Sequence, residues 1–399
     1  MTRLLVSTVR RRCPPDEPSG HIYTVDLASK QVLRRSQILE PAYRQFDDNP
    51  RGGMRGAKGI AIRDNQIALA NFSMICLYDA QWNLVEVISH PSCAGIHDIL
   101  YQHESLWVTV ARTDLLMRFD LSGQLIEHYD LREPTPVLDA LDWDPPVLLN
   151  SEQILSGVTD FRDPRTHEWE TYDWAHINGI STNSDGDLFI SLGFVFDGKY
   201  ANLLRLKNRL KKLGIWPVMM GMNRRVRSLI GNPENNIDNS LVVRPARAQS
   251  AIVRFSPTKQ HQVRLHIPSV ATPSHSLHLL PDDNGVYLNT TEGAVIHFDT
   301  RSGQVISSKK VTDGFLRGIC ELSAHIVVAG SMGWLLTYDL ETQELLGSFQ
   351  LTLDPTESIY DIKVLPSQYE LPPLSFEKHF EHSTGFKDAA EQIKYHRNP

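Results

Sequence analysis

Residues 294–299 read AVIHFD, a short apolar run that ends in an aromatic residue and an aspartate, and the 399-residue chain contains five related copies. Four of the six copies end in Tyr or Phe followed by Asp. The other five are HIYTVD at 21–26, MICLYD at 74–79, LLMRFD at 115–120, AIVRFS at 251–256 and WLLTYD at 334–339. Self-similarity of this kind is typical of folds built from repeated β modules, none of which buries its own face alone.

A second recurring element opens a new strand after each copy: a polar residue, a small or acidic residue, then an aliphatic one. The six versions are Lys58-Gly59-Ile60, His97-Asp98-Ile99, Asn178-Gly179-Ile180, His275-Ser276-Leu277, Arg317-Gly318-Ile319 and Tyr360-Asp361-Ile362. Five of them are followed by a short turn and a second strand; the AVIHFD-type copy is the third strand, and a fourth follows after turns such as SGQ. Four short antiparallel strands about 40 residues apart indicate a β-propeller blade.

The sequence therefore predicts an all-β, six-bladed β-propeller, with a pair of β-sandwiches as the alternative. The sixth blade is split: its first strand is YDIKVLP at 360–366, and its other strands come from the N-terminal segment, which closes the ring. The propeller is expected to span 1–366, with a long connection at 131–175, a partly helical insertion in blade three at 196–250, and a C-terminal tail at 367–399.

Composition excludes several classes of protein. With 41% hydrophobic and 22% charged residues, the chain is ordinary globular material, and its net charge of −7 argues against a nucleic-acid binder. Its four cysteines show no paired spacing, which argues against a disulfide scaffold or a cysteine zinc site. No apolar run approaches about 18 residues, and the N-terminal run is too short for a signal peptide, so we expect a cytoplasmic setting.

The insertion is strongly basic. Residues 199–247 hold eleven Lys and Arg against two acids, a charge of +9, and part of this segment has leucines at helical spacing. Three roles remain open: a solvated helix packed on the propeller, a lid that meets an anionic substrate, or a peripheral membrane contact. Arg224, Arg225 and Arg227 are the candidates for binding a phosphate or carboxylate, because guanidinium groups bind such anions bidentately.

The first strand of each propeller blade lies nearest the axis, so the first residues of the six elements should converge there. This axial set comprises Lys58, His97, Asn178, His275, Arg317 and Tyr360. A dry core does not need six polar groups, because an unpaired buried polar group costs about 1–3 kcal/mol. His176 adds a third imidazole beside this set, and Arg55 lies close to Lys58 in the sequence. The axis is therefore the predicted site.

Two chemistries fit these residues, besides a purely structural, water-filled channel. In the first, His97, His176 and His275 hold a divalent metal, Zn²⁺ or Fe²⁺, with Asp98 orienting a ligand. In the second, no metal is present and His97 or His275 is a general base. In both, the anion-binding and positioning residues are Lys58, Arg317, Tyr360, Asn178 and Arg55.

Four segments, HDILYQHESLWVTVARTDLLMRFD, WAHINGISTNSDGDLFISLG, PSHSLHLLPDDNGVYLNTTEGAVIHFD and GFLRGICELSAHIVVAGSMG, carry a family resemblance. They resemble a bacterial propeller family of uncharacterised activity, marked by the motifs HD followed by LW, HLNG, PHS and GFxRG. The resemblance covers about residues 96–335. It implies that the family's motif positions fall on His97, Asp98, His176, Asn178, Gly179, His275, Ser276, Arg317 and Gly318.

A more distant similarity of layout is to the peptidyl-hydroxyglycine lyases, six-bladed propellers whose zinc is held by one His from each of three blades. Their calcium site and paired cysteines have no match in this sequence. The hypothesis with the most support is an enzyme of the lyase, hydrolase or isomerase type that acts on a small anionic molecule. The alternatives are a non-catalytic module that binds an anionic ligand or a protein partner, and a membrane-surface scaffold that uses the basic insertion.

Overall fold

The computed structural model describes residues 2–47, 49, 53–133, 135–167, 172–195, 248–256, 258 and 260–377 of the chain. These residues form six four-stranded antiparallel sheets, which confirms the predicted six-bladed propeller. Every signature copy lies in the third strand of its blade.

The strands are numbered in chain order. The N-terminal segment gives β1 (Arg3–Arg10), β2 (His21–Asp26) and β3 (Gln31–Gln37). Blade one has β4 (Ile60–Arg63), β5 (Gln66–Ala70), β6 (Ile75–Asp79) and β7 (Leu84–Ile88). Blade two has β8 (Ile96–Gln102), β9 (Ser105–Val110), β10 (Leu115–Asp120) and β11 (Leu125–Asp130). Blade three has β12 (Ile177–Thr182), β13 (Leu188–Val195), β14 (Gln249–Arg254) and β15 (Gln262–Ile267).

Blade four has β16 (His275–Leu279), β17 (Asn284–Asn289), β18 (Ala294–Asp299) and β19 (Val305–Lys310). Blade five has β20 (Leu316–Ser323), β21 (Ile326–Ser331), β22 (Trp334–Asp339) and β23 (Glu344–Gln350). Blade six begins with β24 (Glu357–Leu365), which pairs with β1 from Arg3 opposite Leu365 to Arg10 opposite Glu357. The N-terminal segment therefore closes the ring, as predicted.

Five of the six signature copies end in an aspartate, and that aspartate stabilises the turn that follows it. Asp79 accepts backbone N–H groups from Gln81 and Asn83 through Oδ1, at 2.9 and 2.8 Å. Asp120 does the same with Ser122 and Gln124. Asp side chains commonly bond the backbone two residues further on, which fixes a turn. The signature that reveals the repeat is therefore structural.

The inner strands of the six blades are β4, β8, β12, β16, β20 and β24, and each contacts the next around the axis. In alternate blades, the residue after the axial one carries an acceptor that binds a backbone N–H of the following blade. These bonds run from Ile180 to Asp98, from Gly318 to Ser276 and from Ile60 to Asp361. These three bonds therefore join alternate pairs of neighbouring blades at the axis.

Glycine occupies the same position in the other three blades, because the neighbouring inner strand comes too close for a side chain. A Cβ on Gly59 would lie 2.9 Å from the Cα of Asp98. A Cβ on Gly318, whose φ is +79°, would lie 3.1 Å from the Cα of Asp361. The close approach of the inner strands holds the axial residues together.

Gly318→Ala is expected to lower the free energy of unfolding by about 1–3 kcal/mol more than Gly186→Ala does, the usual cost of forcing extra atoms into a packed site. Gly186 has a φ of +80° and nothing within 4 Å of its ideal Cβ, so the two variants share the backbone strain and differ in the clash. Urea denaturation of both variants measures the difference. Equal losses would show that the inner strands do not need glycine at this position.

The connections add little regular structure. The long connection at 131–175 contains α1 (Pro136–Ala140) and α2 (Ser151–Leu155). Because β14 begins at Gln249, the insertion ends earlier than the predicted residue 250. Its predicted helix and Arg224, Arg225 and Arg227 lie outside the described residues.

Beyond the propeller strands, residues 367–377 run along the outside of the ring. Tyr369 and Phe376 are buried, and their rings pack on Trp82, with centroid distances of 6.3 and 5.8 Å. In the part of the chain that the structure describes, no helix is long and apolar enough to cross a membrane.

Candidate functional site

The six axial residues come together at one end of the ring, where the inner strands begin. Five of them are less than one-tenth exposed and Arg317 is half-buried. Three imidazoles lie on one side, from blades two to four. Arg317, Tyr360 and Lys58 lie on the other side, from blades five, six and one. We call these sides the imidazole half and the cationic half.

The imidazole half consists of His97, His176 and His275. The ring centroids of His97 and His176 are 4.7 Å apart, and those of His97 and His275 are 6.2 Å apart. One ring nitrogen from each residue lies within 4.8 Å of the other two. Three different blades thus bring three potential ligand atoms to one point, as the sequence predicted.

Two of the three rings are held through Nδ1. His97 donates from Nδ1 to the Gly95 carbonyl at 2.9 Å, and His176 pairs its Nδ1 with the Asp173 carboxylate at 3.0 Å. Neither ring has a hydrogen bond at Nε2 to any described residue. Nδ1 of His275 has no partner of hydrogen-bond geometry within the described ranges, although the Pro273 carbonyl is close enough to raise the pKa of the ring.

Both buried imidazoles are neutral at physiological pH. Burial lowers the pKa of His97 well below its usual value, and the charge of Lys58 lowers it further. Burial, followed by the charge of Arg317, lowers the pKa of His275 in the same way. A neutral imidazole keeps the lone pair that a metal ligand needs.

A turn of blade two positions the third imidazole. Asp114 is fully buried and accepts the backbone N–H groups of Trp174 and Ala175, at 2.7 and 3.1 Å. The next residue, His176, has a φ of +49°, a left-handed conformation that non-glycine residues seldom adopt. No residue near His176 in the sequence indicates this support, because Asp114 lies 60 residues before Trp174.

Replacing Asp114 by glycine is expected to weaken metal binding by about tenfold or more, because outer-sphere support typically contributes 10- to 100-fold. Glycine tolerates the φ of +52° at this position, so the change removes the acceptors without straining the backbone. Titration with Co²⁺ measures the affinity. Asp64→Gly is the matched control, since Asp64 also has a positive φ and its side chain is 88% exposed. Equal Co²⁺ affinities of the Asp114→Gly and Asp64→Gly variants would show that Asp114 does not support the metal site.

The cationic half surrounds the Tyr360 ring. The guanidinium carbon of Arg317 lies 3.6 Å from its centroid, and the Lys58 ammonium nitrogen lies 5.6 Å from it. Burial lowers the pKa of Lys58 well below its usual value, and the charges of Arg317 and Arg55 add to this. Burial lowers the pKa of Arg317 to about 10, so its guanidinium stays charged at neutral pH.

The Tyr360 hydroxyl is a proton donor that has no partner among the described residues. Its oxygen is buried and forms no hydrogen bond with the residues described. Burial raises the pKa of the phenol above its usual value, although the charge of Arg317 opposes this. The hydroxyl therefore keeps its proton at neutral pH.

The remaining predicted residues take different places. Asn178 accepts from Ser191 and donates to the Ser274 carbonyl, both at 2.6 Å, so its amide links blades three and four. Arg55 is half-buried and close enough to Lys58 to lower its pKa. Arg112 and Phe72, which the sequence did not indicate, also belong to the site. Arg112 lies 3.8 Å from Asp173, and the Phe72 ring centroid lies 5.1 Å from the Lys58 nitrogen.

The expectation that Asp98 orients a metal ligand is wrong. Its carboxylate accepts the backbone N–H groups of Ile99 and Ile180, at 2.9 and 3.1 Å, and the Nδ1 partner of His97 is Gly95. Successive side chains of a strand point to opposite faces, so the residue after His97 faces the next blade. Burial, together with the charge of Asp361, raises the pKa of Asp98 to about 7.

Comparison with known proteins supports the fold. No family model and no curated protein matches the chain. Among solved structures, a chain of the nidogen/laminin complex is similar at a TM-score of 0.51 and 9% identity, over 92% of this chain and 100% of that one. Streptogramin B lyase gives a TM-score of 0.43 at 9% identity, over 75% and 70% of the two chains.

A catalytically inactive virginiamycin B lyase from Staphylococcus aureus, with quinupristin, gives a TM-score of 0.42 at 10% identity, over 76% and 72% of the two chains. At 9% identity, the similarity to the chain of the nidogen/laminin complex shows the fold alone. The chain is a six-bladed propeller with a distant structural similarity to the streptogramin B lyase propellers. The motif family that the sequence resembles stays an expectation, because no family model matches.

Proposed function

We propose that this chain is an enzyme with a single divalent metal, Zn²⁺ or Fe²⁺, held by His97, His176 and His275. Its substrate is a small anionic molecule that binds between the imidazole half and the cationic half. The observation that carries the proposal is the trio of imidazole nitrogens within 4.8 Å of one another, from three blades.

The donor set fits such an ion. Metal-binding histidines usually donate their other ring N–H to a carboxylate or a backbone carbonyl, and His176 and His97 make these two contacts. Three neutral imidazoles with an open fourth position are a known arrangement of catalytic zinc. Nitrogens bonded to one zinc ion at about 2.0–2.1 Å lie about 3.3 Å apart, so small ring rotations would bring the three onto one ion.

The metal would supply a Lewis acid that polarises a substrate oxygen or activates water. The chain's own residues would bind the substrate and donate a proton. Arg317 and Lys58 would hold the anionic group, since no carboxylate of a described residue forms an ion pair with either. The protonated Tyr360 hydroxyl would donate a hydrogen bond, or its proton, to an oxygen that gains negative charge. This combination suits lyase, hydrolase and isomerase chemistry alike.

A second candidate is a non-catalytic propeller that binds a small anion. The cationic half favours it, because Arg317 and Lys58 flank the Tyr360 hydroxyl, which has no partner among the described residues, and this arrangement requires no metal. Such a module would bind its anion equally well in the presence of a metal chelator, whereas the enzyme would not turn over substrate.

Metal analysis of the full-length protein tests the first proposal. Protein expressed with added zinc or iron is expected to carry about one ion per chain, in keeping with one three-histidine site. The metal-free protein is then assayed on panels of small carboxylate esters, phosphate esters and hydroxy acids, with and without the metal restored. Protein that neither retains nor rebinds a stoichiometric metal would rule out the metal-dependent enzyme.

A further inference from the structure

Among the described residues, no carboxylate is paired with the cations of the cationic half. Among the described residues no ion pair involves Lys58 or Arg317, although the desolvation of an unpaired charge is costly. The two carboxylates that raise the pKa of Arg317, Asp361 and Asp98, accept backbone N–H groups of neighbouring blades. Asp361 is also paired with Lys363, at 3.3 Å.

The imidazole half offers a metal little negative charge. Within the described ranges, the carboxylate that hydrogen-bonds to an imidazole of the trio is that of Asp173. A divalent ion placed there would face a charged guanidinium and a lysine across the axis. The two halves are close, since the ring centroids of His97 and Tyr360 are 5.8 Å apart.

We propose that the site binds its divalent metal and a small oxyanion, a carboxylate or a phosphate, as a pair. This inference rests on the proposed metal centre and goes beyond it. One oxygen of the anion takes the open metal position, while others contact the Arg317 fork, the Lys58 amine and the Tyr360 hydroxyl. The anion offsets the positive charge of both halves, so neither partner binds tightly alone.

Pairing of this kind is a coupling free energy, and it is reciprocal: the anion strengthens metal binding by the same factor as the metal strengthens anion binding. Full-length metal-free protein is titrated with Co²⁺ in a non-coordinating buffer, alone, with acetate or with inorganic phosphate. We expect at least about tenfold tighter Co²⁺ binding with the anion that fits, within the usual range of such coupling. The acetate and phosphate arms distinguish a carboxylate from a phosphate.

Lys58→Met is expected to reduce the strengthening of Co²⁺ binding by the anion toward onefold, because the variant lacks one of the groups that contact the anion. Lys310→Met is the matched control, because Lys310 is exposed on β19 and pairs with Asp313. The control should keep the full effect of the anion.

Two outcomes would overturn the inference, and they can be told apart. If Co²⁺ binds with equal affinity alone, with acetate and with phosphate, the metal and the anion do not bind as a pair, and the proposed metal centre still stands. If Co²⁺ does not bind under any of the three conditions, both the metal centre and its pairing with an anion are contradicted.

Discussion

Replacing both His97 and His275 by alanine is expected to lower metal affinity by more than about 100-fold, the most that loss of an outer-sphere partner typically costs. Two of three ligands are lost, and a single imidazole does not retain zinc against a chelator. The affinity is measured by competition with a chelating dye. His176→Ala alone should also weaken binding strongly, and because His176 is half-buried this change disturbs the core least.

The matched control for this prediction is His278→Ala. His278 lies on β16, three residues after His275, and contacts Glu321 at 3.4 Å and not the imidazole trio. It should bind metal like the wild type. If the double variant keeps the metal affinity of the wild type, the three histidines are not the metal site. If His278→Ala lowers metal affinity as much as the double substitution does, the loss has a general structural cause.

The second large effect concerns the closure of the ring. Glu357→Ala is expected to lower the free energy of unfolding by about 3–5 kcal/mol, as removal of one member of a buried charged network does. The Glu357 side chain is fully buried and binds His21 at 2.8 Å, Thr8 at 2.5 Å and Tyr23 at 3.0 Å. These three partners belong to β1 and β2, so the carboxylate ties the N-terminal strands to β24.

Acid should weaken the hydrogen bonds by which Glu357 joins β24 to β1 and β2. Burial opposes ionisation of Glu357, but hydrogen bonds from His21 and Thr8 outweigh it and hold the pKa of the carboxyl below its usual value. The stabilisation is therefore present above the unfolded-state pKa of about 4.3 and is lost as the pH falls through the lower folded-state value. Urea denaturation of wild type and Glu357→Gln should show a difference in stability at pH 7 that narrows in acid.

Exposed Glu344, at the start of the outer strand β23, provides the control for Glu357. Glu344→Ala should change stability by less than about 0.5 kcal/mol, as surface substitutions usually do. A Glu357→Ala protein as stable as this control would show that closure depends on strand pairing alone.

The architecture was predictable because its signals are local and repeated. The apolar runs ending at Asp79, Asp120, Asp299 and Asp339 gave the register, and the register aligned the axial residues. The alternation of Gly59, Gly179 and Gly318 with Asp98, Ser276 and Asp361 was also visible in that alignment. Its meaning, close contact between neighbouring inner strands, depends on backbone distances that no single blade reveals.

The site was predictable only in part. His97 and His275 follow from the register, and His176 from its place two residues before Asn178. Asp98 was misassigned, because adjacency in a strand suggests proximity although successive side chains face opposite ways. The support from Asp114 crosses between blades, so it has no signal in the sequence near His176.

The central claim is that one metal ion lies among His97, His176 and His275, and anomalous diffraction tests it most directly. Crystals of protein prepared with zinc or iron would be measured on either side of the metal's absorption edge. The account predicts one strong anomalous peak, about 2.0–2.1 Å from a nitrogen of each of the three rings. A map without a peak at this position, in crystals of metal-supplemented protein, would contradict it.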